Sequence, residues 1–187
     1  MTLKPWRKLS DELVNKNPWW EYRLAKYTLP NGKPAEYHYV HDPDAVAVVP
    51  IGGDGKITIV RQYRALVDRM NWELPIGGME QSDSPEQMAR EELRDETNLQ
   101  AGEMESIGAF QISVGRVDSH CHVFIASDLS FLQGKPDDTE EFEIKQFSGD
   151  AIDEMIRSGE LNNGMSIASW HLARPRVLEI IDQMKGN

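Results

Sequence analysis

Cysteine is almost missing from this chain. Cys121 is the only one among 187 residues, so no disulfide can close within it and packing must hold the fold. Positive charge is scarce too: 20 Lys and Arg stand against 31 Asp and Glu, a formal net charge of −11. With no basic stripe to displace counterions, a nucleic-acid backbone is excluded as the main partner. The same deficit would repel a phosphate-bearing ligand unless a divalent cation and a few local arginines offset it. No apolar run is long enough for a transmembrane helix. The opening Met1-Thr2-Leu3-Lys4-Pro5-Trp6-Arg7-Lys8 lacks the apolar core of a signal peptide, so the expected compartment is the cytoplasm. The length suits one well-buried domain better than two.

What is present begins with strand patterns. Residues 20–29 and 35–40 alternate as strands would, joined at Asn31-Gly32, a strong hairpin signal. Residues 45–49 and 57–62 are β-branched runs flanking Gly52-Gly53-Asp54-Gly55, which predicts a second hairpin. Apolar segments follow at 107–112, 122–126 and 141–147, and helical patterns near 149–157 and 165–184 close the chain. Strands mixed with helices in this order predict an α/β sandwich with a mixed sheet.

The most informative stretch runs from Gly77-Gly78-Met79-Glu80-Gln81-Ser82-Asp83 to Glu91-Glu92-Leu93-Arg94-Asp95-Glu96-Thr97-Asn98-Leu99. Ser84 reads as a helix N-cap, Pro85 as the first helical residue, and Gln87 as the partner that completes a capping box. At about 100° per residue, Glu92, Asp95 and Glu96 share one arc with Met88 and Leu99, while Arg90 and Arg94 lie on the far side. Carboxylates gathered near a packed face repel one another and are disfavoured there unless a cation joins them. A hard ion such as Mg²⁺ or Mn²⁺ takes oxygen ligands and turns that repulsion into coordination.

These residues resemble the box of the Nudix hydrolase family: a Gly, five residues, Glu, seven residues, then Arg-Glu-U-x-Glu-Glu-x-Gly-U, with U aliphatic. Gly77, Glu92, Leu93, Glu96 and Leu99 match it. Asp83 and Asp95 stand where the family has Glu, Asn98 stands for Gly, and Glu91 stands for Arg. The flanks Val60-Arg61-Gln62-Tyr63-Arg64 and Trp72-Glu73-Leu74-Pro75-Ile76-Gly77-Gly78 look like the ADP-ribose pyrophosphatase and nucleotide-sugar hydrolase branch, as does Ser158-Gly159-Glu160-Leu161-Asn162. After the box the branch often carries Ser-Pro-Gly, whereas this chain has Ile112-Ser113-Val114-Gly115-Arg116.

The resemblance implies a Nudix-type α/β/α sandwich. Residues 1–42 would form an N-terminal antiparallel sheet used in dimerisation, and 43–187 the hydrolase domain of a homodimer. It implies metal-dependent hydrolysis of a nucleoside diphosphate sugar, such as ADP-ribose or GDP-mannose, to a nucleoside monophosphate and a sugar phosphate. Glu92, Asp95, Glu96 and the backbone carbonyl of Ile76 would hold Mg²⁺ or Mn²⁺. A loop Glu just before Phe142-Glu143-Ile144 would serve as base or assist the metal, which points to Glu140 with Glu141 next, although a solvated acidic loop reads almost as well. A catalytically weak nucleotide-binding sensor is the alternative, because Glu91 puts an anion where the family has a cation.

Other candidates are less specific. Arg61, Arg64 and Arg116 could clamp phosphates or belong to surface ion pairs. Trp20, beside Trp19 and Tyr22, could stack a base, but a packed or dimer-interface aromatic suits it better. In a strand, His120 and His122 would face one way and Cys121 the other, so this trio predicts a packed strand and no metal site.

Overall fold

In the computed structural model of the protein, residues 2–79, 84–132 and 142–186 are described. The chain divides into two compact units, Met1–Asp44 with Gln111–His120, and Ala45–Phe110 with Cys121–Asn187.

The first unit is built on three antiparallel strands in the order β1 (Arg7–Lys16), β2 (Glu21–Thr28) and β3 (Pro34–His41). The turn between β2 and β3 is the expected one, with Gly32 at φ 83 and its N–H donating to Leu29 O at 2.9 Å. β1 was not expected. Its register with β2 shifts twice, between Lys8 and Ser10 and between Leu13 and Asn15. Each irregularity breaks the two-residue alternation by which a strand is read from sequence. Charge and tyrosine contacts bind this strand to its neighbours: the Asp11 carboxylate accepts bonds from Lys8, from Arg23 Nε at 3.0 Å and from the Tyr39 hydroxyl at 2.8 Å.

The second unit holds two sheets. One has the order β7 (Ile76–Gly78), β4 (Ala45–Pro50), β9 (His120–Phe131), β8 (Leu99–Gln111); the other has β10 (Glu143–Phe147), β5 (Ile57–Arg64), β6 (Arg69–Glu73). β4 runs parallel to β9 and antiparallel to β7, so its sheet is mixed. All six residues of β4 are buried, as expected of a continuous apolar strand covered on both faces. Val46 and Val48 pack with Ala89 and Leu93 of helix α1 (Pro85–Thr97). Val49 belongs to the larger core with Ile152 and Met155 of α2 (Gly149–Ser158) and Trp170, Ala173 and Val177 of α3 (Gly164–Gly186). Helices thus cover both sides of the strand, the sandwich predicted from the sequence. Cys121 is fully buried at the start of β9, opposite Ala45.

The second predicted hairpin needs correction. Its turn forms, with Gly55 at φ 76 and Gly52 N–H donating to Lys56 O at 2.8 Å, but the two strands share no ladder beyond the isolated bridge between Ile51, just past β4, and Ile57. Each strand then enters a different sheet, because each finds longer ladders elsewhere. No described helix is long and apolar enough to cross a membrane.

Candidate functional site

Helix α1 starts as its sequence predicts. The Ser84 hydroxyl accepts from Gln87 N–H at 3.1 Å, and Pro85 takes the first turn. The Gln87 side-chain amide donates to Glu91 one turn further on, at 3.2 Å. The helix ends at Asn98, left-handed at φ 57, whose N–H closes on Arg94 O at 2.7 Å. Asn98 also ties the helix end to the residue just after β9: its side chain donates to Leu132 O at 2.9 Å and its carbonyl accepts from Leu132 N–H at 3.1 Å. A glycine there could adopt the same backbone but could not make the side-chain bond.

The three acidic candidates of α1 do not share one environment. Glu96 is buried with Ala89, Leu93 and Thr97, and Glu92 is partly buried one turn earlier. Asp95 is exposed and accepts the Arg94 guanidinium at 2.8 Å. This corrects the expectation that all three lie at the packed face. An arc of about 100° separates residues 95 and 96, and the packing seam runs between them. On the far side Arg90 joins Glu86 at 2.9 Å and donates to Ala101 O, also at 2.9 Å.

β7 supplies the other wall. A Cβ added to Gly77 would overlap the Glu92 carboxylate, so the glycine is what gives that group its space. Ile76, just before it, pairs with Ala47 of β4. Among the described residues, no group of three or more acidic, His or Cys side chains is poised to hold a metal ion. The donors present nonetheless fit a hard divalent ion. Mg²⁺ ordinarily binds through one or two carboxylates and fills its remaining positions with water and substrate phosphate. Glu92 and Glu96, with the carbonyl of Ile76, would be the donors for such an ion. Glu140 and Glu141 lie outside the described residues, as does Asp83.

The register of β5 separates two arginines that the sequence set side by side. Arg61 is opposite Glu143 and Trp72, whereas Val60 is opposite Glu73, so residues 61 and 64 point to opposite faces of the strand. Arg61 meets Glu143 at 3.3 Å and stacks over the Trp72 ring at 5.7 Å. Lys145, followed by Arg61, holds the Glu143 carboxyl below its ordinary range. On the other face Arg64 forms a fork with Glu73, Nε to Oε1 at 2.8 Å and Nη2 to Oε2 at 2.6 Å. Trp20 and Arg116 belong to the first unit, and both are exposed. The Arg116 carbonyl accepts from Val40 N–H at 2.8 Å.

Reading the sequence missed Glu73 and its partners Asn71, Asn163 and Ser166. Alternation in β6 carried a signal for the first pair, since Asn71 and Glu73 share the face opposite Trp72. Nothing local announces Asn163, which lies 90 positions away.

A model of the NUDIX domain matches residues 41–162. The ADP-ribose pyrophosphatase of Bacillus subtilis (strain 168) is 37% identical over 135 residues, which span 71% of this chain and 73% of that protein. The GDP-mannose pyrophosphatase of Salmonella typhimurium (strain LT2) is 31% identical over 121 residues, or 59% of this chain and 62% of its own length. A solved structure described as an ADP compounds hydrolase superposes with a TM-score of 0.83 at 18% identity, covering 96% of this chain and 97% of that one. That last likeness is one of fold.

Proposed function

The chain belongs to the Nudix hydrolase family, and from that premise we propose that it cleaves the diphosphate of a nucleoside diphosphate sugar, with ADP-ribose first among the candidates. The observation that carries this reading is the Gly77–Glu92 fit, one turn from buried Glu96. Nudix hydrolases generally use divalent metal ions. In this reading Glu92, Glu96 and the Ile76 carbonyl hold Mg²⁺ or Mn²⁺, which when bound would neutralise the diphosphate and acidify the attacking water. Asp95 stays with Arg94. Arg64 binds a phosphate oxygen, and Glu140 takes the proton of the attacking water. The water oxygen bonds to one phosphorus as the bridging P–O bond breaks, leaving a nucleoside monophosphate and a sugar phosphate.

A panel of nucleotide sugars, including ADP-ribose and GDP-mannose, assayed with Mg²⁺ or Mn²⁺ and with chelator, tests this. Metal-dependent release of the two monophosphates is expected. Absence of turnover across the panel would refute it. A second reading, nucleotide binding with weak catalysis, is favoured by Glu91 at the family's Arg position and by the Asp95–Arg94 pair. Calorimetric binding of ADP-ribose without turnover would select it.

A further inference from the structure

Glu73 is 1% exposed, a carboxylate shut inside the second unit. It accepts four hydrogen bonds: the two from Arg64, one from Asn71 Nδ2 at 3.1 Å and one from Asn163 Nδ2 at 2.9 Å. A carboxylate offers about four lone-pair positions, so this one is saturated. The two amides cannot flip without loss, because each has its carbonyl end occupied. Asn71 Oδ1 accepts from Arg69 Nη2 at 3.1 Å, and Asn163 Oδ1 accepts from Ser166 N–H at 3.0 Å. Ser166 in turn accepts from Leu74 N–H at 3.1 Å, fixing the segment that leads from Glu73 to Gly77. Of the groups bonded to Glu73, Arg64 is the one whose side chain is substantially exposed, at 41%.

We propose that Glu73 is a positioning residue for the substrate diphosphate, acting through Arg64. The inference rests on the nucleotide-sugar reading above. An arginine in water loses rotamer freedom when it captures a phosphate. Here the fork with Glu73 removes that freedom during folding, and the guanidinium is held in one plane before substrate arrives. Buried ion pairs add little net stability compared with apolar packing, so stability alone gives weak reason to keep this one. Arg61 offers the contrast. Its partner Glu143 is 40% exposed and the bond is 3.3 Å long, and the Trp72 ring beneath it gives no directional bond, so its hold is looser than the fork on Arg64.

The test compares wild type with Glu73→Gln and Asn163→Ser in ADP-ribose hydrolysis at saturating Mg²⁺. Glu73→Gln keeps the shape but loses one acceptor and the charge, so KM should rise about tenfold or more, the equivalent of a charged hydrogen bond, while kcat changes little. Asn163→Ser keeps a capping oxygen for α3 but cannot reach Glu73 as the amide does, and should raise KM by less. It decides the matter if Glu73→Gln does not fold. Folded variants with wild-type KM, or with kcat lowered and KM unchanged, would overturn the positioning role. Failure of the wild type itself on ADP-ribose would overturn the functional reading instead, and would be seen before any variant is compared.

Discussion

The two units differ in whether they bury charge. In the three-stranded sheet, Asp11, Lys8, Arg23 and Glu21 pair along the surface, and none of them is buried. No residue of β1 is buried either, whereas every residue of β4 is. In the second unit the carboxylates of Glu73 and Glu96 are buried. A surface carboxylate that loses a partner is rehydrated, so each such pair contributes little. A buried one has no water to turn to, and its partners decide what it can do. Charge in the first unit is adjustable; the two buried carboxylates of the second are tied to their partners.

The largest effect should come from Glu96→Gln. It keeps size while removing charge, so hydrolysis should fall to the level seen under chelator without loss of thermal stability. Turnover near wild type would show that the second unit does not depend on this buried charge.

Gly77→Ala should rank next. The new methyl group would displace the Glu92 carboxylate, the movable end of its side chain, rather than any backbone. A misplacement of about 1 Å costs roughly a hundredfold in rate. Activity should drop by that order while the melting temperature stays close to wild type. An unchanged rate would show that Glu92 need not sit against β7.

The smallest effect belongs to the sheet. Burial pushes the Asp11 carboxyl up, but bonds from Lys8, Tyr39 and Arg23 outweigh it and hold the pKa at about 2, below the usual 3.8. A carboxylate held down in this way stabilises the fold above its ordinary pKa, and the contribution is lost as pH falls towards 2. Amide exchange in β1 and β2 should therefore quicken across that window and not above it. Asp11→Asn should remove the pH dependence, and at neutral pH should quicken exchange only by the modest amount that the wild type shows in acid. A large loss at neutral pH would mean that surface charge in this sheet matters to folding no less than charge in the core.

What could be read from the sequence follows from how local each signal is. The helix start, with its cap at Ser84 and Pro85 in the first turn, depends on residues within a few positions of one another, and both are found. β4 was legible because five apolar residues in a row, 45–49, have few other uses. β1 was not, because two register shifts scramble its alternation. The wheel of α1 gave angles but not the line where packing stops, so Asp95 was grouped with Glu96. Arg61 and Arg64 looked equivalent until register put them on opposite faces. The Glu73 cluster draws on Asn163 and Ser166, about 90 positions away, and no periodicity spans that distance.

The solitary thiol carries a practical consequence. Cys121 is sealed in β9, its sulfur 3.9 Å from the Ser169 hydroxyl. An alkylating reagent therefore meets it only when that strand opens, which makes the native sequence its own clock for breathing of the second unit. A cysteine introduced on the exposed face of the N-terminal sheet would react at once, so dyes or spin labels could be placed there without first removing the natural residue.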